Sequence, residues 1–124
     1  MKKIMVVDDD LATLEMLGTI LSEAGYRTTL LSDSDQVPQR VAADGPDLVL
    51  LDILMEPKHG MEVLDSLSEL GSRPPIILIS AAVRGVRDMV RIAQGLGCCD
   101  FIEKPFDVDD LLRRVDAALQ NAQV

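Results

Sequence analysis

The chain has 124 residues, 48% of them hydrophobic, with two Phe, one Tyr and no Trp, and a formal net charge of −9. Such a length suits one compact domain with an aliphatic core of the kind that parallel-sheet α/β proteins build. The acidic balance argues against direct nucleic-acid binding, which draws on excess positive charge. No apolar run approaches the ~20 residues that span a bilayer, and "MKKIMVV" is too short for a signal-peptide core, so a cytoplasmic protein without a membrane segment is expected.

In chain order, "KIMVV" (3–7) reads as a strand that runs straight into three carboxylates, Asp8, Asp9 and Asp10. At an effective dielectric near 20, two like charges ~4 Å apart repel by about 4 kcal/mol, so this stack calls for a counter-charge. Asp10 is placed to cap a helix marked by Leu14, Leu17, Leu21 and Ala24. A second strand, "RTTLL" (27–31), precedes a helix carrying Val37 and Val41, with Asp35 as the expected N-cap and Pro38 in the tolerated first turn. The third strand is "DLVLL" (47–51), ending at Asp52 and followed by a polar loop that holds His59, the sole histidine, read as a solvated residue.

The second half repeats the alternation. Met61, Leu64, Leu67 and Leu70 mark a helix, "IILIS" (76–80) a strand, and Val86, Met89, Val90, Ala93 and Leu96 another helix. "CDFIE" (99–103) is the fifth strand, and Val108, Leu111, Leu112, Val115 and Leu119 mark the fifth helix, with Asp107 as cap and Asp110 in its first turn. Gly25, Gly45, Gly71 and Gly97 follow the helical runs, where a residue with positive φ closes a helix. Cys98 and Cys99 are adjacent and lack metal-ligand spacing, so ordinary packing or reduced thiols are expected.

Strands alternating with helices predict a doubly wound five-stranded parallel α/β sheet with helices on both faces. In such a sheet the ligand crevice lies at the carboxyl ends of the strands. Those ends carry Asp8 and Asp9, then Asp52, Ser80 and Lys104. Three carboxylates, a hydroxyl and an ammonium converging on a crevice suit a hard cation together with a phosphoryl group. Asp52, central on the third strand, is the better nucleophile candidate. Asp8 and Asp9 then hold the ion, while Lys104 and Ser80 meet the phosphoryl oxygens.

Four segments carry a family resemblance over essentially the whole chain: "VVDD", "DLVLLDILM", "ILISA" and "FIEKPF", in that order. Together they resemble the receiver domains of two-component response regulators. The resemblance implies a flavodoxin-like fold with strand order 2-1-3-4-5 and a signalling phosphoacceptor rather than an enzyme. Asp52 would accept a phosphoryl group from a histidine kinase or phosphotransfer protein. It further implies Mg²⁺ (or Mn²⁺) on Asp9, Asp52 and the Leu54 carbonyl with Asp8 assisting, a cis Lys104–Pro105 bond, and a switch in which Ser80 moves toward the phosphate and Phe101 turns inward. That switch would remodel the face of the fourth helix, fifth strand and fifth helix toward a protein target or a homodimer.

The chain departs from the family pattern in places. Glu56 with Pro57 next replaces the usual proline, Phe101 replaces the commoner Tyr, and the stretch around "AAVRGVRD" is two residues longer than in many relatives. Leu54 and Ala82, at positions that tune phosphoryl lifetime in the family, carry no group able to orient an attacking water. Arg84, Arg87, Arg91, Arg113 and Arg114 read as locally paired helix faces or as a partner surface. A single receiver domain over 1–124 without an output domain is expected. The alternatives are a phosphate-independent interaction module and a haloacid dehalogenase-type aspartyl-phosphate phosphatase using Asp8 and Asp10; Ala12 and the short chain disfavour the second.

Overall fold

The computed structural model describes residues 1–53, 60–69, 74–81, 85–95 and 97–121. Five strands, β1 (Lys3–Val7), β2 (Arg27–Leu31), β3 (Leu48–Asp52), β4 (Ile76–Ala81) and β5 (Cys98–Lys104), alternate there with five helices. These are α1 (Leu11–Glu23), α2 (Val37–Asp44), α3 (Gly60–Ser68), α4 (Val86–Gly95) and α5 (Val108–Asn121). All strand pairs are parallel, and the order across the sheet is β2-β1-β3-β4-β5, as the sequence led us to expect.

Period-2 alternation sends successive strand residues to opposite faces, and each face is buried by its own helices. Met5, Val7, Val49, Leu51, Ile76 and Leu78 pack with residues of α2, α3 and α4, whereas Ile4, Val6, Leu48, Leu50, Ile77 and Ile79 pack with α1 and α5. The near-continuous apolar strands are thus explained by burial on both sides. Among the described residues, no helix is long and apolar enough to cross a membrane.

Helix ends follow local chemistry. Asp10 caps α1 by accepting from the Ala12 N–H and the Thr13 hydroxyl, which holds its carboxyl below the ordinary carboxylate range. Asp107 caps α5 through the Asp110 N–H. The expected Asp35 cap of α2 is not found: Asp33 accepts from the Asp35 N–H instead, capping a 3₁₀ turn, Ser34–Gln36, that leads directly into α2. A carboxylate two residues before a free N–H reaches it more readily than one already inside the turn, and Pro38 still falls in the first turn of α2. Gly25, Gly45 and Gly97 all have positive φ; Gly45 closes α2 at φ 58°, a conformation that costs other residues strain. Gly71, Leu70 and Leu96 lie outside the described residues.

Three strand boundaries differ from expectation. β3 starts at Leu48, because the Asp47 carboxylate turns back to accept from the Lys3 N–H at 2.8 Å, and it ends on Asp52, which pairs with Ile79. β4 continues to Ala81, and β5 spans Cys98 to Lys104 through the Ala81–Lys104 pairing. Asp52 and Lys104 therefore stand on the last residues of strands, held by the ladder rather than by loops. Both cysteines are free, Cys98 buried and Cys99 exposed, and burial pushes both thiols up from their ordinary value.

Candidate functional site

The carboxyl ends of β1, β3 and β5 bring together the residues singled out from sequence. Asp8 and Asp9 follow β1, Asp52 ends β3, and one carboxylate oxygen from each lies within 4.8 Å of the others. Asp8 and Asp52 are buried at 2% and 7% exposure, while Asp9 is exposed and opens the cluster to solvent. Only parallel strands of matched length place these three side chains at one rim.

The counter-charge the acidic stack calls for is Lys104. Its Nζ lies 3.1 Å from Asp8 Oδ2 and 3.4 Å from Asp52 Oδ2, joining residues 96 and 52 positions apart in the chain. Burial by itself would lower the Lys104 ammonium. The Asp8 hydrogen bond and the charges of Asp52 and Asp8 outweigh it and hold Lys104 above its ordinary value. Asp8 Oδ1 also accepts from the Asp10 N–H at 2.9 Å, so both oxygens of Asp8 are engaged and its orientation is set.

One ammonium against three carboxylates leaves the cluster net negative. Hard oxygen donors in that number, with one of the three carboxylates open to solvent, fit a small divalent cation that keeps several waters. Ser80 is fully buried in β4, one residue beyond the Asp52–Ile79 pair, and its hydroxyl donates to the Ala81 carbonyl at 3.1 Å. The Lys104–Pro105 peptide is cis. Leu54, Glu56, Pro57, His59, Ala82 and Arg84 lie outside the described residues.

Phe101 on β5 is partly buried against the core layer that includes Met61 and Met89. Its N–H donates to Asp100 Oδ1 at 2.7 Å and its carbonyl accepts from Arg114 Nη1 at 3.3 Å. Arg114 also pairs with Asp100 at 2.7 Å and Asp110 at 2.9 Å, and Arg113 pairs with Asp110 at 2.6 Å. The Arg113 and Arg114 hydrogen bonds hold the Asp110 carboxyl below the ordinary range. The α5 arginines are thus locally paired. The i,i+4 spacing of Asp110 and Arg114 was visible in the sequence, but the link through Asp100 to the Phe101 backbone was not, because it joins two elements.

Residues 4–116 match the family model described as the response regulator receiver domain. The chain is 39% identical over 122 residues to response regulator MprA of Mycolicibacterium vanbaalenii, an alignment covering 95% of this chain and 50% of that protein. The chain therefore spans about half the length of the curated relatives it matches. Among solved structures it is similar to the receiver domain of NtrX from Brucella abortus, with TM-score 0.85, 32% identity, and coverage of 94% of this chain and 98% of that one. The CheY-like receiver domain protein of Methanospirillum hungatei JF-1 shares the fold at TM-score 0.90 and 24% identity, covering 99% and 97% of the two chains.

Proposed function

Because the chain belongs to the response regulator receiver domain family, we propose that Asp52 is its phosphoacceptor, taking a phosphoryl group from a phosphohistidine of a sensor kinase or phosphotransfer protein. The observation that carries this reading is the convergence of Asp8, Asp9, Asp52 and Lys104 at one rim of the sheet. An Asp52 carboxylate oxygen attacks phosphorus, the P–N bond to the donor imidazole breaks with its electron pair leaving on nitrogen, and an acyl phosphate forms. The chain is on this reading a signalling phosphoacceptor that assists its own phosphorylation and dephosphorylation, not an enzyme acting on a separate substrate.

Lys104 already contacts Asp52 and Asp8, so its ammonium is in reach of the charge that accumulates on the incoming phosphoryl oxygens. Asp8, fixed by the Asp10 N–H, orients Lys104 from the other side. The Ser80 hydroxyl leaves the Ala81 carbonyl to meet a phosphoryl oxygen, and Phe101 packs inward behind it, biasing the α4, β5 and α5 face toward a protein target or a second copy. Asp9, Asp52 and the Leu54 carbonyl, with Asp8 assisting, would hold Mg²⁺ or Mn²⁺, which would supply neutralisation of the negative charge that carboxylate and phosphoryl group bring together.

The test is intact mass after incubation with acetyl phosphate. With Mg²⁺ the protein is expected to gain one phosphoryl group, and with a chelator none. A folded protein that gains nothing in either buffer would overturn the reading.

Three further outcomes are expected. Mg²⁺ should raise Tm, since a ligand at ~100 times its Kd adds about 2.7 kcal/mol to the folded state, and Asp9→Asn should remove most of that rise. Lys104→Ala should slow the initial rate of phosphoryl uptake by about 10²-fold, the scale of losing one transition-state charge partner. An unchanged rate would remove Lys104 from the chemistry. The same variant carries a stability signature. Because its folded-state value is raised, Lys104 contributes stability fully present below its unfolded value and lost as pH climbs through the folded one. That alkaline loss should be absent from Lys104→Ala.

A further inference from the structure

The two outer strands of the sheet are built differently. β5 carries a register irregularity against β4 between Ile76 and Ile77, together with Asp100, Glu103 and Lys104, all features that discourage another strand from pairing. β2 is plainer: "RTTLL" runs in unbroken register with β1 from Arg27 to Leu31, contains no proline and no carboxylate, and has Arg27 at its start as its one charged residue. The Arg27 N–H donates to the Lys2 carbonyl at 2.9 Å and the Leu31 carbonyl accepts from the Asp8 N–H at 3.2 Å. Alternation then sends the N–H and C=O groups of Thr28 and Leu30 outward, to the open edge.

A groove borders this edge on each face. On the α2 side, about 450 Å³ is lined by Lys3, Arg27 and Arg40 with a single carboxylate, Asp44. Asp44 engages Arg40 at 3.1 Å and its carbonyl takes Lys3 Nζ at 3.3 Å, while Arg27 has no side-chain partner among the described residues. On the α1 side, about 530 Å³ lies between Glu15 and Glu23 over a floor of Gly18 and Leu30. Leu30 Cδ1 sits 3.1 Å from where a Cβ on Gly18 would stand, so glycine lets this half-exposed leucine lie close against the helix, and a larger residue would displace it by a few tenths of an ångström.

An added strand sends alternate side chains to opposite faces, so each groove would receive one parity of its residues. The grooves differ in charge, three cations against one carboxylate toward α2 and two carboxylates toward α1. We propose that the outer edge of β2 docks an extended segment of a partner protein as a sixth strand, with acidic side chains directed toward α2 and aliphatic or lysine side chains toward α1.

The probe is a peptide, acetyl-Glu-Val-Glu-Lys-Glu-Val-amide, titrated into the ¹⁵N-labelled chain and compared with a peptide of identical composition whose acids are consecutive. Saturable shifts at the Thr28 and Leu30 amides are expected, with the alternating peptide binding about tenfold more tightly than the rearranged one and Arg27→Glu removing most of that advantage at unchanged Tm. N-methylation of its edge-facing amides should abolish binding without any change to the protein. Equal binding of both peptides, shifts confined to other elements, or indifference to N-methylation would overturn the proposal. So would concentration-dependent shifts at Thr28 and Leu30 without peptide, which would assign the edge to a second copy of the chain.

Discussion

With Asp52→Asn, no phosphoryl group is expected to add from acetyl phosphate under conditions in which the native protein takes up one, while Tm in chelator stays level or rises. The chemical half of this result follows from the nucleophile: a carboxamide oxygen lacks the negative charge of a carboxylate, is a far weaker nucleophile and forms no stable acyl phosphate. The stability half follows from the cluster. Asp52 is buried at 7% exposure with carboxylate oxygens of Asp8 and Asp9 within 4.8 Å, so a neutral side chain of equal shape relieves like-charge repulsion. Lys104 retains its closer partner, Asp8, at 3.1 Å. Intact mass and a thermal melt on the same sample check both halves. Continued uptake would move the acceptor to Asp8 or Asp9, whereas a large fall in Tm would show that Asp52 is held mainly by its bond to Lys104.

Leu50→Ala is expected to cost about 2–5 kcal/mol, the range for removing a fully buried leucine from a packed core. Leu50 has no exposed surface, sits on β3 between β1 and β4, and belongs to the layer that packs α1 and α5 through Leu17, Leu21, Leu111 and Val115. A central strand packed on both faces has little room to collapse into the cavity. Domains are stable by only about 5–15 kcal/mol, so the loss is a large share of the total. Urea unfolding measures it. Leu11→Ala, at a position 64% exposed, is the control and should stay within about 0.5 kcal/mol of the parent. A change below about 1 kcal/mol for Leu50→Ala would show that α1 or α5 repacks freely.

Relatives at 37–39% identity are response regulators about twice as long as this chain. The α4, β5 and α5 face and the β2 edge are the two surfaces to probe for a binding partner.

Element order, sheet class and the acidic rim were legible in the sequence because each rests on local periodicity or on a rule of connection. Short apolar runs alternating with 3.6-period helices leave few topologies, and parallel strands bring their carboxyl ends to one side whatever the loops do. Asp10 and Asp107 were legible as caps for the same reason, since a cap bonds within three residues of itself. Asp35 misled because a 3₁₀ turn and an α-helix offer the same short-range partners, and the choice of Asp33 depends on how the chain leaves β2.

Tertiary structure alone decided which charges meet. Lys104 bonds Asp8 more closely than Asp52, and Arg114 reaches across from α5 to Asp100 beside the Phe101 backbone. The unlike character of the two sheet edges is likewise set by register and by which helix overhangs which strand. Such pairings join residues far apart in the chain through distances of about 3 Å. Sequence spacing carries no information at that scale; only the packed sheet fixes it.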